Sequence, residues 1–217
     1  ALYEEAGVTI VKDSSANKGG VITSSYEICA AMLLTEEQFF SNKQVIVGEV
    51  LAKLRGFAKL EAELLFREAE SYDAPIPEVS QIISNCINAA TDALSQALDT
   101  LSEEDREQLL PLFRAHLPKT IADMSFDHVH ERVPEQYIKN AISSSLASKM
   151  VYKEGTKFIE SLPKHKLAEM ALRYIQKEKE VAELMESLRS LDFPADQKQR
   201  VLNLLEAGGA RTALQLP

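Results

Sequence analysis

From Ser24 onward the apolar residues of this chain recur at helical spacing, and before it they do not. Residues 8–11 (Val-Thr-Ile-Val) form a short apolar, β-branched run that reads as a strand. Residues 1–6 read as the end of a helix, with Gly7 as its closing residue. After the strand come a polar loop, residues 12–18, then Gly19-Gly20, then an apolar, hydroxyl-rich segment that reads as a helix start. Thr35-Glu36-Glu37-Gln38 is a capping box and marks a new helix. Val50, Leu51, Leu54, Phe57, Ala58, Leu64 and Leu65 fit a 3.6-residue period up to about residue 72, where Asp73-Ala74-Pro75-Ile76-Pro77 stops the helix. The next helix starts near Pro77 and carries the cleanest stripe in the chain: Val79, Ile82, Ile83, Cys86, Ile87, Ala90, Leu94, Ala97, Leu98 and Leu101.

Ser102-Glu103-Glu104-Asp105 caps a shorter helix, and Pro111 and Pro118 divide residues 109–124 into pieces. Further helices are predicted over residues 134–154, ending at Gly155, over 156–162, and over 163–191, the last rich in charge. A final helix over 195–206 is closed by Gly208-Gly209, leaving a frayed tail at 210–217. No second strand is predicted. A lone strand leaves its backbone N–H and C=O groups without a ladder partner, which is costly if they are buried. Its neighbours are therefore expected outside this chain, as if a longer protein were cut within an α/β domain; pairing between copies is the alternative. The expected architecture is mainly α: residues 1–34 as the remnant of an α/β domain, residues 35–217 as a helical bundle.

Composition narrows the function. With 45% hydrophobic and 26% charged residues over 217 positions, the chain is ordinary for a globular protein. A formal net charge of −9 argues against a general nucleic-acid binder or a binder of anionic membranes, both of which need a basic face. No apolar run approaches the length of a membrane span, and no secretory signal is present. The two cysteines, Cys29 and Cys86, sit on apolar helical faces and read as buried free thiols in a reducing compartment, the cytoplasm or an organelle matrix. Asp127-His128-Val129-His130-Glu131 is the most metal-like cluster, but its two histidines at i, i+2 do not share a helical face, so no metal is expected. His116 and His165 read as ordinary surface or helix-end residues. Ser143-Ser144-Ser145 lacks the glycine elbow of a nucleophile. The charged helix over 163–191 shows no continuous apolar seam and reads as a solvated face rather than a coiled coil.

Strand, glycine-containing loop and helix start, in that order, form a ligand-facing corner of an α/β sheet, where free N–H groups and a bare glycine backbone can meet a ligand. Gly19-Gly20 completes no nucleotide fingerprint, so the residues by themselves leave both a plain connection and a ligand site open. Lys18 either adds positive charge near an anion or points into solvent.

The stretch EEAGVTIVKDSSANKGGVITSSYEI resembles the segment that closes the nucleotide-binding domain of glutamate dehydrogenases, where a strand runs into an N-x-G-G-V-x-x-S element and a long helix. Lys-Asp before Ser-Ser-Ala-Asn-Lys-Gly-Gly-Val is most similar to the large NAD-specific enzymes; the short forms usually carry Ala where this chain has Lys18. A second, less specific likeness covers residues 133–155, and little resembles the family between or after. The resemblance implies the C-terminal edge of a Rossmann-like domain. It also implies roles: Asn17 beside nicotinamide and substrate, Gly19 and Gly20 for close backbone approach, Val21 along the aliphatic stem of the substrate, and Ser24 donating to its side-chain carboxylate.

The implied partners are L-glutamate and 2-oxoglutarate, NAD held mainly by an upstream part, the remainder of the same polypeptide, and further copies in a homo-oligomer. The family's substrate lysines and catalytic aspartate match nothing here, so no catalytic residue is expected in this chain and it should be inactive alone. The alternative is a non-catalytic helical module for oligomerisation or interaction.

Overall fold

Thr35 closes one helix and opens the next. Its hydroxyl accepts from the Gln38 N–H at 3.2 Å, and the Gln38 side chain accepts from the Thr35 N–H at 2.8 Å. This reciprocal pair satisfies two of the donors that a helix start leaves free. The helix it begins, Glu36–Tyr72, ends at Asp73, whose left-handed conformation (φ 49°) turns the chain. Pro75 and Pro77 then start Ile76–Asp99, since proline costs nothing where the N–H would be unpaired anyway.

The computed structural model describes residues 2–17, 19–107 and 109–215, without the side chains of residues 21, 164, 165, 168, 172, 182, 186 and 206–215. Before Thr35 lie short helices Leu2–Glu5 and Asp13–Ala16 and the longer Gly19–Leu33. After Ile76–Asp99 come Glu103–Glu107, Leu110–His116, Lys119–Ser125, a 3₁₀ turn at Phe126–His128, and Val129–Arg132. Glu135–Glu154, Thr156–Ser161, Lys164–Ser190 and Ala195–Gln215 complete the chain.

The strand expected at residues 8–11 does not form, and no strand occurs among the described residues. Val8 and Val11 are exposed, and the Val8 N–H caps the preceding turn by donating to Tyr3 O at 2.9 Å. The physical reason is the one that made a lone strand suspect: no other segment offers a ladder. A second difference lies at the C-terminal end, where the last helix runs through Gly208-Gly209 to Gln215. Glycine weakens a helix without ending it unless a left-handed residue follows, and Ala207, Ala210, Ala213 and Leu214 are good helix formers.

Ile76–Asp99 lies at the centre. Glu36–Tyr72, Glu135–Glu154, Thr156–Ser161 and Lys164–Ser190 all pack on it. Its predicted stripe is the buried face, with Val79, Ile83, Cys86, Ala90, Leu94, Ala97 and Leu98 inside. One cluster of buried residues runs without interruption from Tyr26, Cys29 and Leu33 of the third helix to Tyr174 and Ile175 of Lys164–Ser190. The charged helix is thus solvated only in part, for Leu167, Ala171, Tyr174 and Ile175 are core, and buried Glu178 meets Lys149 and Lys153.

Buried acids also pin Glu36–Tyr72 to the later helices. Glu61 accepts from the Tyr152 hydroxyl at 2.8 Å, and Glu68 from the Thr156 hydroxyl at 2.6 Å, with Arg67 at 3.5 Å. Both cysteines are buried free thiols, and burial raises the pKa of each. His116, expected at a surface or helix end, does end Leu110–His116, but its ring lies against Tyr26 (centroids 5.3 Å apart) and Phe113 (6.3 Å). Its Nε2 is buried with no protein hydrogen bond, and burial, helped by Lys53, pulls the imidazole down to about 4.

Two outcomes are expected. Gly155 has φ +85°, and a Cβ there would stand 3.0 Å from Glu68 Oε1. Gly155→Ala should lower the stability of the chain by about 1–3 kcal/mol; an unchanged urea midpoint would contradict this. For His116, the folded state favours the neutral ring, so its contribution is complete above the unfolded pKa near 6.5 and is lost as pH falls toward 4. The loss should approach about 3 kcal/mol by pH 4. Urea titrations of wild type and His116→Gln should therefore differ in their acid slope, whereas parallel curves would rule out this titration as a contributor.

Candidate functional site

The loop before Gly19–Leu33 is held from below. The Lys12 ammonium donates to Gln81 Oε1 at 2.8 Å, and the Ser15 and Ser80 hydroxyls lie 2.5 Å apart. Ser80 is buried at the start of the central helix, so the loop is anchored to a buried position of the fold's central element. Asn17 then closes the short Asp13–Ala16 helix, its N–H donating to Asp13 O at 2.8 Å.

Gly19–Leu33 turns Tyr26, Cys29, Ala30 and Leu33 inward. On its flank, Ser25 and Tyr137 are joined twice: their hydroxyls stand 3.3 Å apart, and the tyrosine donates to Ser25 O at 3.1 Å. Burial first, and its bond with Cys29 second, push the Tyr137 hydroxyl up to about 12. Burial likewise raises the Cys29 thiol, so neither group is an acid or nucleophile near neutral pH. Gly20, Ser24 and Ile28, four residues apart, are exposed on the opposite side.

Of the expected site residues, the structure brings Asn17, Gly20 and Ser24 together on that outer surface. A Cβ on Gly20 would stand 3.9 Å from Asn17 Oδ1 and meet nothing closer. The Ser24 hydroxyl donates to Gly20 O at 3.2 Å in the preceding turn. Gly19 is turned the other way, toward Leu54 Cδ1 at 3.9 Å, where a bare backbone permits close helix packing. The Val21 side chain and Lys18 lie outside the described residues. The arrangement offers an amide, a hydroxyl and the positive end of a helix, a set suited to orienting a carboxylate or carboxamide. Among the described residues it holds no general acid or base.

Two partners of this surface, Ser80 and Tyr137, carried no signal in the sequence, because each contacts it across 65 residues or more. The other hollow of note, about 230 Å³ with Leu98, Leu109, Val133 and Ile142 among its walls, lies elsewhere. Its basic side chains already face acids: Arg106 meets Glu135 at 2.9 Å and Lys139 meets Asp99, while the His130 ring stands 3.4 Å from Glu107. His128 turns to Glu131 at 3.4 Å, so the two histidines of the metal-like cluster face different acids. Among the described residues, no group of three or more metal-ligating side chains is gathered, and no helix is long and apolar enough to cross a membrane.

Comparison with known proteins converges on one family. The family model for Glutamate/Leucine/Phenylalanine/Valine dehydrogenase matches residues 1–90. Glutamate dehydrogenase 2 of Dictyostelium discoideum is 34% identical over 166 residues, covering 71% of this chain and 16% of that protein. The NAD-specific glutamate dehydrogenase of Neurospora crassa is 32% identical over 167 residues, covering 70% and 16%. That of Saccharomyces cerevisiae is 31% identical over 166 residues, covering 70% and 15%. No solved structure matches significantly. The chain spans about a sixth of the length of these relatives. The likeness runs far beyond the glycine loop, over about 70% of the chain, and supports a part of an NAD-specific glutamate dehydrogenase.

Proposed function

We propose that this chain serves within a longer NAD-dependent glutamate dehydrogenase, to which it contributes the substrate-side loop and helix start of residues 17–24 and a helical body. The observation that carries this reading is the outward display of Asn17 beside Gly20 and Ser24, the last two on a helix whose other face is core. The relatives' names state glutamate and NAD. Carried to this chain, the reaction is oxidative deamination of L-glutamate to 2-oxoglutarate and ammonium. Residues 1–34 belong in this reading to the α/β catalytic part and residues 35–217 to a helical C-terminal part. The compartment is the cytoplasm, or the mitochondrial matrix in a eukaryote.

The residues present fit one edge of such a site. The exposed Asn17 amide can orient a nicotinamide carboxamide, and Gly20 leaves room beside it. No part of the described chain encloses a dinucleotide, so NAD is held mainly by the preceding part of the polypeptide. NAD, when bound, would supply the acceptor for the hydride of the substrate Cα, and the imine so formed would be hydrolysed by water to 2-oxoglutarate and ammonium. This chain's own contribution is positional. The Ser24 hydroxyl leaves its exposed bond to Gly20 O and donates to the side-chain carboxylate of glutamate, an exchange with little net cost. The helix start adds a favourable field for that carboxylate. Gly20 keeps the backbone near, while Gly19 packs toward Leu54, and the role that the resemblance implies for Val21 is along the aliphatic stem. Held so, only an aligned Cα–H reaches the nicotinamide.

A second role, assembly of copies through the helical body, is compatible with the first and concerns different residues. In the full-length protein, Ser24→Ala should lower kcat/KM for glutamate by about a hundredfold, the scale of a lost transition-state contact. Ser144→Ala removes a hydroxyl bonded in the same way to the preceding turn, at Asn140 O, and should leave turnover unchanged. Equal activity of wild type and Ser24→Ala would refute the proposed role of Ser24.

A further inference from the structure

The large apolar side chains that this chain leaves in solvent are not scattered. Among the described residues eleven of fifteen lie before residue 67, and none lies between residues 67 and 183. Phe40, Val47 and Leu51 recur at the helical period on Glu36–Tyr72 and are 61%, 42% and 44% exposed. Ile28, 48% exposed, stands on the neighbouring helix in the same row as Gly20 and Ser24. Between the two helices runs an open groove of about 320 Å³ lined by Ala30, Ala31, Leu34 and Phe39. Single exposed apolar residues are ordinary, whereas a concentrated set marks a surface that something covers.

The same long helix spends glycine at two interior positions. Gly48, beside Leu51 on the helix surface, and Gly56, on the opposite side, have nothing within 4 Å of a Cβ position. Glycine is the poorest helix former after proline, and at Gly48 it leaves a bare backbone that another segment can approach closely.

What covers the face is indicated by where it lies. The dehydrogenase family model matches residues 1–90, the stretch that carries the exposed apolar face, and the chain spans only about 16% of its relatives. We infer that the outer face formed by Phe40, Val47 and Leu51, together with Ile28, seats the preceding part of the same polypeptide. The row Gly20, Ser24, Ile28 carries the candidate site and an exposed apolar side chain on one side of one helix, so in this inference docking would also complete the site. This rests on the dehydrogenase reading.

The test uses the full-length protein carrying a single added cysteine, Leu51→Cys or Val47→Cys, with exposed Gln96→Cys as reference. Native maleimide labelling is located by mass spectrometry over a range of protein concentrations. Positions 51 and 47 should label about tenfold or more slowly than position 96, because a covered site reacts only when it opens. The protection should be independent of concentration and vanish in denaturant. Labelling at 51 and 47 as fast as at 96 would overturn the inference, and so would protection that appears only as copies associate, which would assign the face to a second copy. Glutamate oxidation by the same variants separates the two readings. Activity with fast labelling removes this inference alone, whereas protection without activity upholds the docking and removes the proposed reaction.

Discussion

Burial of one face of Ile76–Asp99 is the interaction on which the rest depends. Four other helices lie against it, and its small residues Ala90, Ala93 and Ala97 let them come close. Each fully buried Val, Ile or Leu along that face is worth about 1.5–3 kcal/mol relative to exposure. The same helix carries Ser80 and Gln81, which hold Ser15 and Lys12. Core packing and placement of the candidate loop are therefore one arrangement. A loop tied in this way presents its outer groups at a fixed height above the bundle, which is what positioning a small substrate demands.

The helical body was legible wherever the signal is local. Thr35 with Gln38, Asp73, Pro75 and Pro77 mark boundaries within a few residues of themselves, and the Val79–Leu98 periodicity is read along one element. Pairings across long stretches left no such mark. Nothing near His116 announces that Tyr26 will cover it from 90 residues away, and nothing near Tyr137 announces Ser25. Glu178, on the helix read as a solvated face, is buried, and so are Glu61 and Glu68, because their partners sit on other helices. Residues 8–11 show the converse: a local preference for strand that remains unexpressed without a ladder.

For the candidate site, the residue types were legible and the grouping only in part. Asn17, Gly20 and Ser24 share one surface, whereas Gly19 serves the packing of helix on helix. The glycine pair thus divides its work, one residue toward solvent and one toward the bundle. Among the described residues, Asn17, Gly20 and Ser24 offer orienting groups with no acid, base or nucleophile grouped with them. That is the expected form of a corner whose opposite wall comes from another part of the protein.

The central claim, that this corner faces substrate once the polypeptide is complete, is tested most directly by a structure of the full-length protein with NAD and 2-oxoglutarate bound. The account predicts Ser24 Oγ within hydrogen-bonding distance of the ligand's side-chain carboxylate, about 3 Å. It also predicts residues 8–11 paired as the edge strand of a sheet. A ligand bound away from residues 17–24, with residues 8–11 still unpaired, would contradict it.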